Sequence, residues 1–333
     1  FKGIATLESN YNVAYLYILA FLTYLPTYLL AKIKVVNFIF EFATAFFVML
    51  IIRDIFNLNK KSLIPYLGYA LILFAPTVIL NGAVWGQCDI IYTCFIVCSL
   101  YFLIRKKYSL SFISYGIALA FKLQALFFLP VLLLFYIKER RFSGINFLLL
   151  PLVNFLIYVP AWILGKPISD LFSAYSGQVV QYKDLVLNFS NIYSLLPNNY
   201  DFFFRSGILI SIAVLCGFYL ILLSTKIKLR PCDYITLAMI TVMICTYFLP
   251  SMHERYMFTA DILAIIYLFL APKHYFVTLI IWFISVNTYL PYLYGFGPII
   301  DYRIMSLVYL ALLVFLIIDL LRATLKTRTA LVS

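Results

Sequence analysis

The residues best suited to chemistry fall in short runs. The first is Asn81-Gly82-Ala83-Val84-Trp85-Gly86-Gln87-Cys88-Asp89, followed closely by Tyr92. Gly82 and Gly86 permit a turn, Trp85 and Tyr92 suit a membrane interface, and Gln87 with Asp89 set polar groups at its edge. A plainer reading makes the run an interfacial loop, with Asp89 capping the helix that follows. The second run is Phe121-Lys122-Leu123-Gln124, an ionisable residue and an amide between two apolar stretches. Lysine at such a place needs a partner, water or a snorkelling path to the interface. The third is Leu249-Pro250-Ser251-Met252-His253-Glu254-Arg255-Tyr256, with three consecutive ionisable side chains. Arg and His are charge-assisted donors and Glu can fix one of them, which suits a phosphate or sugar; a solvated loop pair is the alternative. A fourth stretch, from Tyr175 to Asn191, holds Gln178, Gln181 and Asn188 among aromatics, as sugar sites do. Its Asn188-Phe189-Ser190 sequon is a chance match unless the chain faces a eukaryotic lumen.

These runs hang on apolar segments near 12–30, 35–52, 63–80, 90–104, 108–121, 123–137, 145–164, 207–224, 233–249, 257–271, 275–290 and 302–321. At about 1.5 Å per residue, each crosses or nearly crosses an apolar core of about 30 Å. Those at 90–104, 108–121 and 123–137 are short. Short helices are tolerated beside a water-filled cavity. The basic clusters Lys60-Lys61, Arg105 to Lys107, Lys138 to Arg141, Lys226 to Arg230 and Arg322 to Arg328 fit cytoplasmic loops. The polar runs then gather on the opposite side, together with an extracytoplasmic loop over 165–206. A probe at Ser190 is expected to be reached from outside and one at Ser109 is not. Segment 12–30 breaks the alternation, and an interfacial or re-entrant path would explain that.

Composition agrees. Of 333 residues, 65% are hydrophobic and 11% charged, against about 25% charged in soluble domains. The net charge of +12 is spread over short inter-segment clusters rather than one soluble surface, so nucleic acid is not the expected partner. The six cysteines form no Cys-x-x-Cys pair and the two histidines lie far apart, so no metal site is expected. No P-loop, Rossmann fingerprint, Asp-x-Asp or Gly-x-Ser-x-Gly is present, and no cofactor is expected. The fold class expected is all-α: one integral membrane domain over 1–333 with roughly 11–12 helical segments.

Taken together, Asn81 to Gln87, Asp89 with Tyr92, Lys122-x-Gln124, and Leu249-Pro250-x-Met252-His253-Glu254-Arg255-Tyr256 resemble the bacterial mannosyltransferases. These are related to the second mannosyltransferase of glycosylphosphatidylinositol synthesis, in the GT-C superfamily. The resemblance runs from about Asn10 to the end of 257–271. It implies a GT-C-like fold in the plasma (inner) membrane with an extracytoplasmic active site. It also implies hexose transfer, with mannose foremost, from a polyprenyl-phosphate sugar to a glycan, lipid or protein acceptor with inversion. The family's catalytic carboxylate sits in a first extracytoplasmic loop ahead of a segment resembling Asn10 to Tyr15. Here nine residues precede that segment, with Glu8 the only acid. The first helix and the catalytic Asp are therefore expected to lie outside this chain.

The roles expected are Asp89 (with Glu8 a weaker candidate) as the catalytic carboxylate, and His253, Glu254 and Arg255 at the donor phosphate. Lys122, Gln124, Trp85 and Gln87 are expected to hold phosphate or sugar. A flippase or transporter of lipid-linked saccharides is the alternative; it should carry charges near the membrane midplane, often with an internal repeat, and the sequence reading finds neither.

Overall fold

A computed structural model describes residues 2–7, 9–170, 183–224 and 229–332, with side chains over 3–7, 9–170, 183–224 and 229–323. In chain order the helices are α1 (Val13–Leu22), α2 (Leu29–Ile55), α3 (Ile64–Leu73), α4 (Pro76–Val78), α5 (Asp89–Ile104), α6 (Tyr108–Phe121), α7 (Leu129–Glu139) and α8 (Leu149–Ile163). They continue as α9 (Tyr200–Ser224), α10 (Pro231–Phe248), α11 (Phe258–Leu270), α12 (Tyr275–Tyr294) and α13 (Tyr302–Val332). A π-helical turn, Ile79–Trp85, prolongs α4, and two short strands, β1 (Val186–Leu187) and β2 (Met252–His253), pair in parallel.

Among the described residues, seven helical stretches are long and apolar enough to cross a bilayer, and four shorter apolar helices accompany them. This is the architecture of a helical multi-pass membrane protein. Large apolar side chains such as Ile163, Phe202, Leu209 and Leu220 stand exposed on it. In water each would forgo about 1.5–3 kcal/mol of burial; lipid removes that penalty.

Segment 12–30 is not one span. Pro26 cannot continue a helix and biases the residue before it away from helical backbone, so α1 stops at Leu22 and α2 starts at Leu29. Ten residues reach only about 15 Å, half the apolar core. The buried Lys32 Nζ donates to the carbonyls of Leu22 and Leu25, at 2.6 and 2.8 Å, tying the start of α2 to the end of α1. A cation there satisfies carbonyls that the end of α1 leaves open. At the other boundary, α9 begins at Tyr200, within the stretch 165–206 expected as loop.

Packing divides the chain into two compact units. Unit 1 comprises 1–53, 61–126 and 142–182, and unit 2 comprises 54–60, 127–141 and 183–333. In unit 1, α5 and α6 form an antiparallel hairpin. Ser99 and Ser111 hydroxyls meet at 2.9 Å, and Phe95 stacks on Phe121 at 5.9 Å. α8 closes on α6 where Gly116 removes a side chain: a Cβ there would lie 3.0 Å from Val153. Asn154 Nδ2 donates to the Gly116 carbonyl at 3.1 Å. Small residues allow such close approach in membranes, where no hydrophobic drive pulls helices together.

Unit 2 is built around α10, in which every residue from Asp233 to Tyr247 is buried. A helix apolar on all faces has to be enclosed, and α7, α9, α11 and α13 pack against this one. Interhelical hydroxyl bonds join it to its neighbours: Tyr219 to Thr241 at 2.7 Å and Thr246 to Tyr309 at 2.7 Å. Such bonds contribute on average about 0.6 kcal/mol each.

Candidate functional site

Two polar clusters stand out, one in each unit. In unit 1 the π-helical turn ends at Gly86, whose φ of 80° is the left-handed region that glycine adopts without strain. A Cβ at Gly86 would also meet Leu30 of α2 at 3.2 Å. This turn delivers Asp89 to the start of α5 with no accessible surface. Asp89 does not cap its helix through its side chain; Cys88 holds the cap position without a side-chain bond. Instead its Oδ1 pairs with Lys122 Nζ at the end of α6, while Asn81 Nδ2 donates to Oδ2 at 2.9 Å. The Lys122 ammonium lies 5.7 Å from the centre of the Tyr92 ring. Lys122 is thus a paired lysine rather than a snorkelling one. Tyr92 is 1% exposed, so the interface role expected for it is replaced by packing at this pair. Trp85 and Gln87 are half-buried on the same turn, and Gln124 is buried in the 3-10 turn Leu123–Phe128.

In unit 2 the second cluster is held by the strand pair. Ser251 N donates to the Leu185 carbonyl at 2.7 Å and its hydroxyl to the Asp184 carbonyl at 2.8 Å, which sets β2 beside β1. Glu254 then turns inward, 2% exposed. Its Oε1 receives Arg255 Nη1 at 2.7 Å, and its Oε2 lies 3.7 Å from His253 Nδ1. Thr288 of α12 donates to the Glu254 carbonyl at 2.9 Å. One buried carboxylate therefore holds two neighbouring nitrogen groups that remain partly accessible, the side chains of His253 and Arg255 being 13% and 20% exposed. The chemistry available is a guanidinium and an imidazole on a fixed backbone turn, donors suited to an anionic oxygen cluster.

Glu8, Gln178 and Gln181 lie outside the described residues. In the sequon Asn188 is exposed but Ser190 is fully buried, so the motif is not presented as an extended acceptor. The same burial removes Ser190 as a surface probe. Asn191 beside it is also buried and structural. Its Oδ1 accepts from Tyr193 N at 3.0 Å, and its Nδ2 points at the Thr246 and Leu249 carbonyls, both at 3.4 Å.

Two carboxyl groups escaped the sequence reading. Glu41 lies in the apolar run of α2, 7% exposed, and Asp261 lies in α11 with no exposure, accepting from Ser285 at 2.8 Å. The sequence shows no charge set near a membrane midplane, yet these two acids lie buried within apolar helices. The signal was present as single acids inside apolar runs, which are costly and rare in lipid. Unit 1 also holds an apolar cavity of about 640 Å³ between α1 and α2, lined by Tyr17, Phe21, Leu25, Val35 and Ile39, with Lys32 at its wall. No family model, curated protein or solved structure matches the chain, so these two clusters, the buried acids and the cavity carry the functional argument.

Proposed function

We propose that the protein is a glycosyltransferase of GT-C-like architecture that moves a hexose, with mannose the leading choice, from a polyprenyl-phosphate sugar to an extracytoplasmic acceptor with inversion. The observation that carries this reading is the Glu254 clasp. A carboxylate 2% exposed pairs with Arg255 and lies beside His253, and both of those side chains keep partial exposure. A general base takes the proton of the acceptor hydroxyl, whose oxygen attacks the anomeric carbon; the bond from that carbon to the phosphate oxygen breaks, and the lipid phosphate leaves with the electron pair. Arg255 and His253 stabilise the charge gathering on that phosphate. Asp89, buried with both oxygens engaged by Lys122 and Asn81, holds its own turn in place rather than taking the proton itself. The apolar cavity between α1 and α2 suits an isoprenoid chain.

The test is sugar transfer by purified, reconstituted protein. Arg255→Lys should lose about ten- to a hundredfold in rate while inserting normally. That is the worth of a charge-assisted hydrogen bond of about 1.5–3 kcal/mol realised in the transition state, and lysine lacks the planar fork. Transfer from a nucleotide sugar in carrier-free protein would rule the reading out. A second reading, transport of lipid-linked saccharides, draws on the buried acids Glu41 and Asp261. It predicts movement of intact lipid-linked saccharide across vesicles with no new glycosidic bond.

A further inference from the structure

Near the middle of α2, the buried Glu41 and the fully buried Asn37 one turn before it face the π-helical turn. The approach is close: a Cβ at Gly82 would collide with Glu41 Oε1 and sit 3.7 Å from Asn37 Cβ. Phe40 packs on Phe95 of α5 and Phe42 on Tyr69 of α3, at 5.9 and 6.5 Å, closing the flanks. Among the described residues, Glu41 Oε1, Asn37 Oδ1 and Nδ2, Asn81 Oδ1 and Thr77 Oγ1 are buried without a hydrogen-bond partner. An orphaned carboxyl oxygen beside an asparagine with neither amide atom satisfied is unusual, since buried polar atoms are nearly always satisfied.

Among the described residues no basic side chain pairs with Glu41: Lys122 is committed to Asp89, Lys32 to the carbonyls that end α1, and Lys34, two turns earlier on α2, lies against the turn at Gly86. The titratable groups on the elements packed here are Tyr66 and Tyr69 of α3 and Asp89, Tyr92, Cys94, Cys98 and Tyr101 of α5; the π-helical turn has none. An unpaired carboxylate removed from water costs several kcal/mol, so such a group takes up a proton instead. The neutral acid is also a donor, which a carboxylate is not. The Asn37 and Asn81 side-chain oxygens are acceptors in need of one.

We propose that Glu41 is a proton-binding site at membrane depth: it is a neutral acid at neutral pH, and its proton ties α2 to the segment that carries Asn81 and Asp89. The site's ligand is the proton alone, and the inference stands apart from the sugar-transfer reading. Loss of the proton would set a bare charge against Gly82 and loosen the turn, linking local proton activity to the placement of Asp89.

Infrared spectroscopy of the purified protein in proteoliposomes at neutral pH tests this. The wild type should show the carbonyl stretch of a protonated carboxylic acid, shifted by deuterium exchange, and Glu41→Gln should remove that band. Glu41→Gln, an amide that keeps neutrality and a donor, should insert and melt as the wild type does, whereas Glu41→Lys should not. Four results would overturn the proposal. They are no acid band in the wild type, loss of only an ionised-carboxylate band in Glu41→Gln, failure of Glu41→Gln to insert, or stabilisation by sodium over choline chloride that Glu41→Gln abolishes.

Discussion

Removing one member of the Asp89–Lys122 pair should destabilise the protein far more than removing both. Asp89 has no exposure and the Lys122 side chain 12%, so each stands largely away from water. Breaking such a pair leaves an uncompensated buried charge, at a cost of about 3–5 kcal/mol. The exposures order the two single variants. Lys122→Met strands a carboxylate with no access to water and belongs at the upper end, unless that carboxylate takes a proton. Asp89→Asn strands an ammonium that still touches solvent, and Asn81 can keep a bond to the amide oxygen, so it belongs near 3 kcal/mol, on the order of the lower bound. The double variant Asp89→Asn/Lys122→Met leaves neither charge behind. Its loss should fall short of the sum of the singles by at least about 2 kcal/mol, beyond the few tenths expected of independent sites. The assay is reversible unfolding of the purified protein in mixed micelles, with all four members of the cycle measured together. Additive losses within about 0.5 kcal/mol would show that the two groups do not depend on each other, and the account of the first cluster would fail.

Further outcomes follow from other contacts. Gly82→Ala should cost about 1–3 kcal/mol, because the added methyl group overpacks a closed site against the Glu41 carboxyl; Gly82→Ala/Glu41→Ala should recover part of that loss in the same unfolding assay. Glu254→Gln should lower the melting temperature and weaken sugar transfer less than Arg255→Ala does, since the amide still accepts from Arg255; a transfer rate below that of Arg255→Ala would refute the orienting role. In a cysteine-free background that replaces the exposed Cys216 and the other five, Asn199→Cys should react with an impermeant thiol reagent outside intact cells. Ser109→Cys should not, both positions being exposed; equal labelling would overturn the proposed orientation.

The helices were largely legible because their cause is local. A run of Ile, Leu, Phe and Val long enough for a bilayer, closed by Lys and Arg, announces itself without reference to the rest of the chain. Pro26 was legible too, yet the apolar count over 12–30 outweighed it. Local patterning likewise marked Asp89, Lys122 and the His253-Glu254-Arg255 run as unusual. What it could not supply was partnership. Asp89 and Lys122 are 33 residues apart, and only the antiparallel packing of α5 on α6 turns an apparent helix cap and an apparent snorkelling lysine into one ion pair. Ser190 and Tyr92 carry no sign of burial in their own sequence neighbourhoods; β1 against β2 and α5 against α6 decide it. Glu41 shows the division most plainly. Its place inside an apolar run was visible, but only the glycine-thin approach of the π-helical turn shows a carboxyl group enclosed beside an unsatisfied amide, because burial depends on Gly82, far along the chain from Glu41.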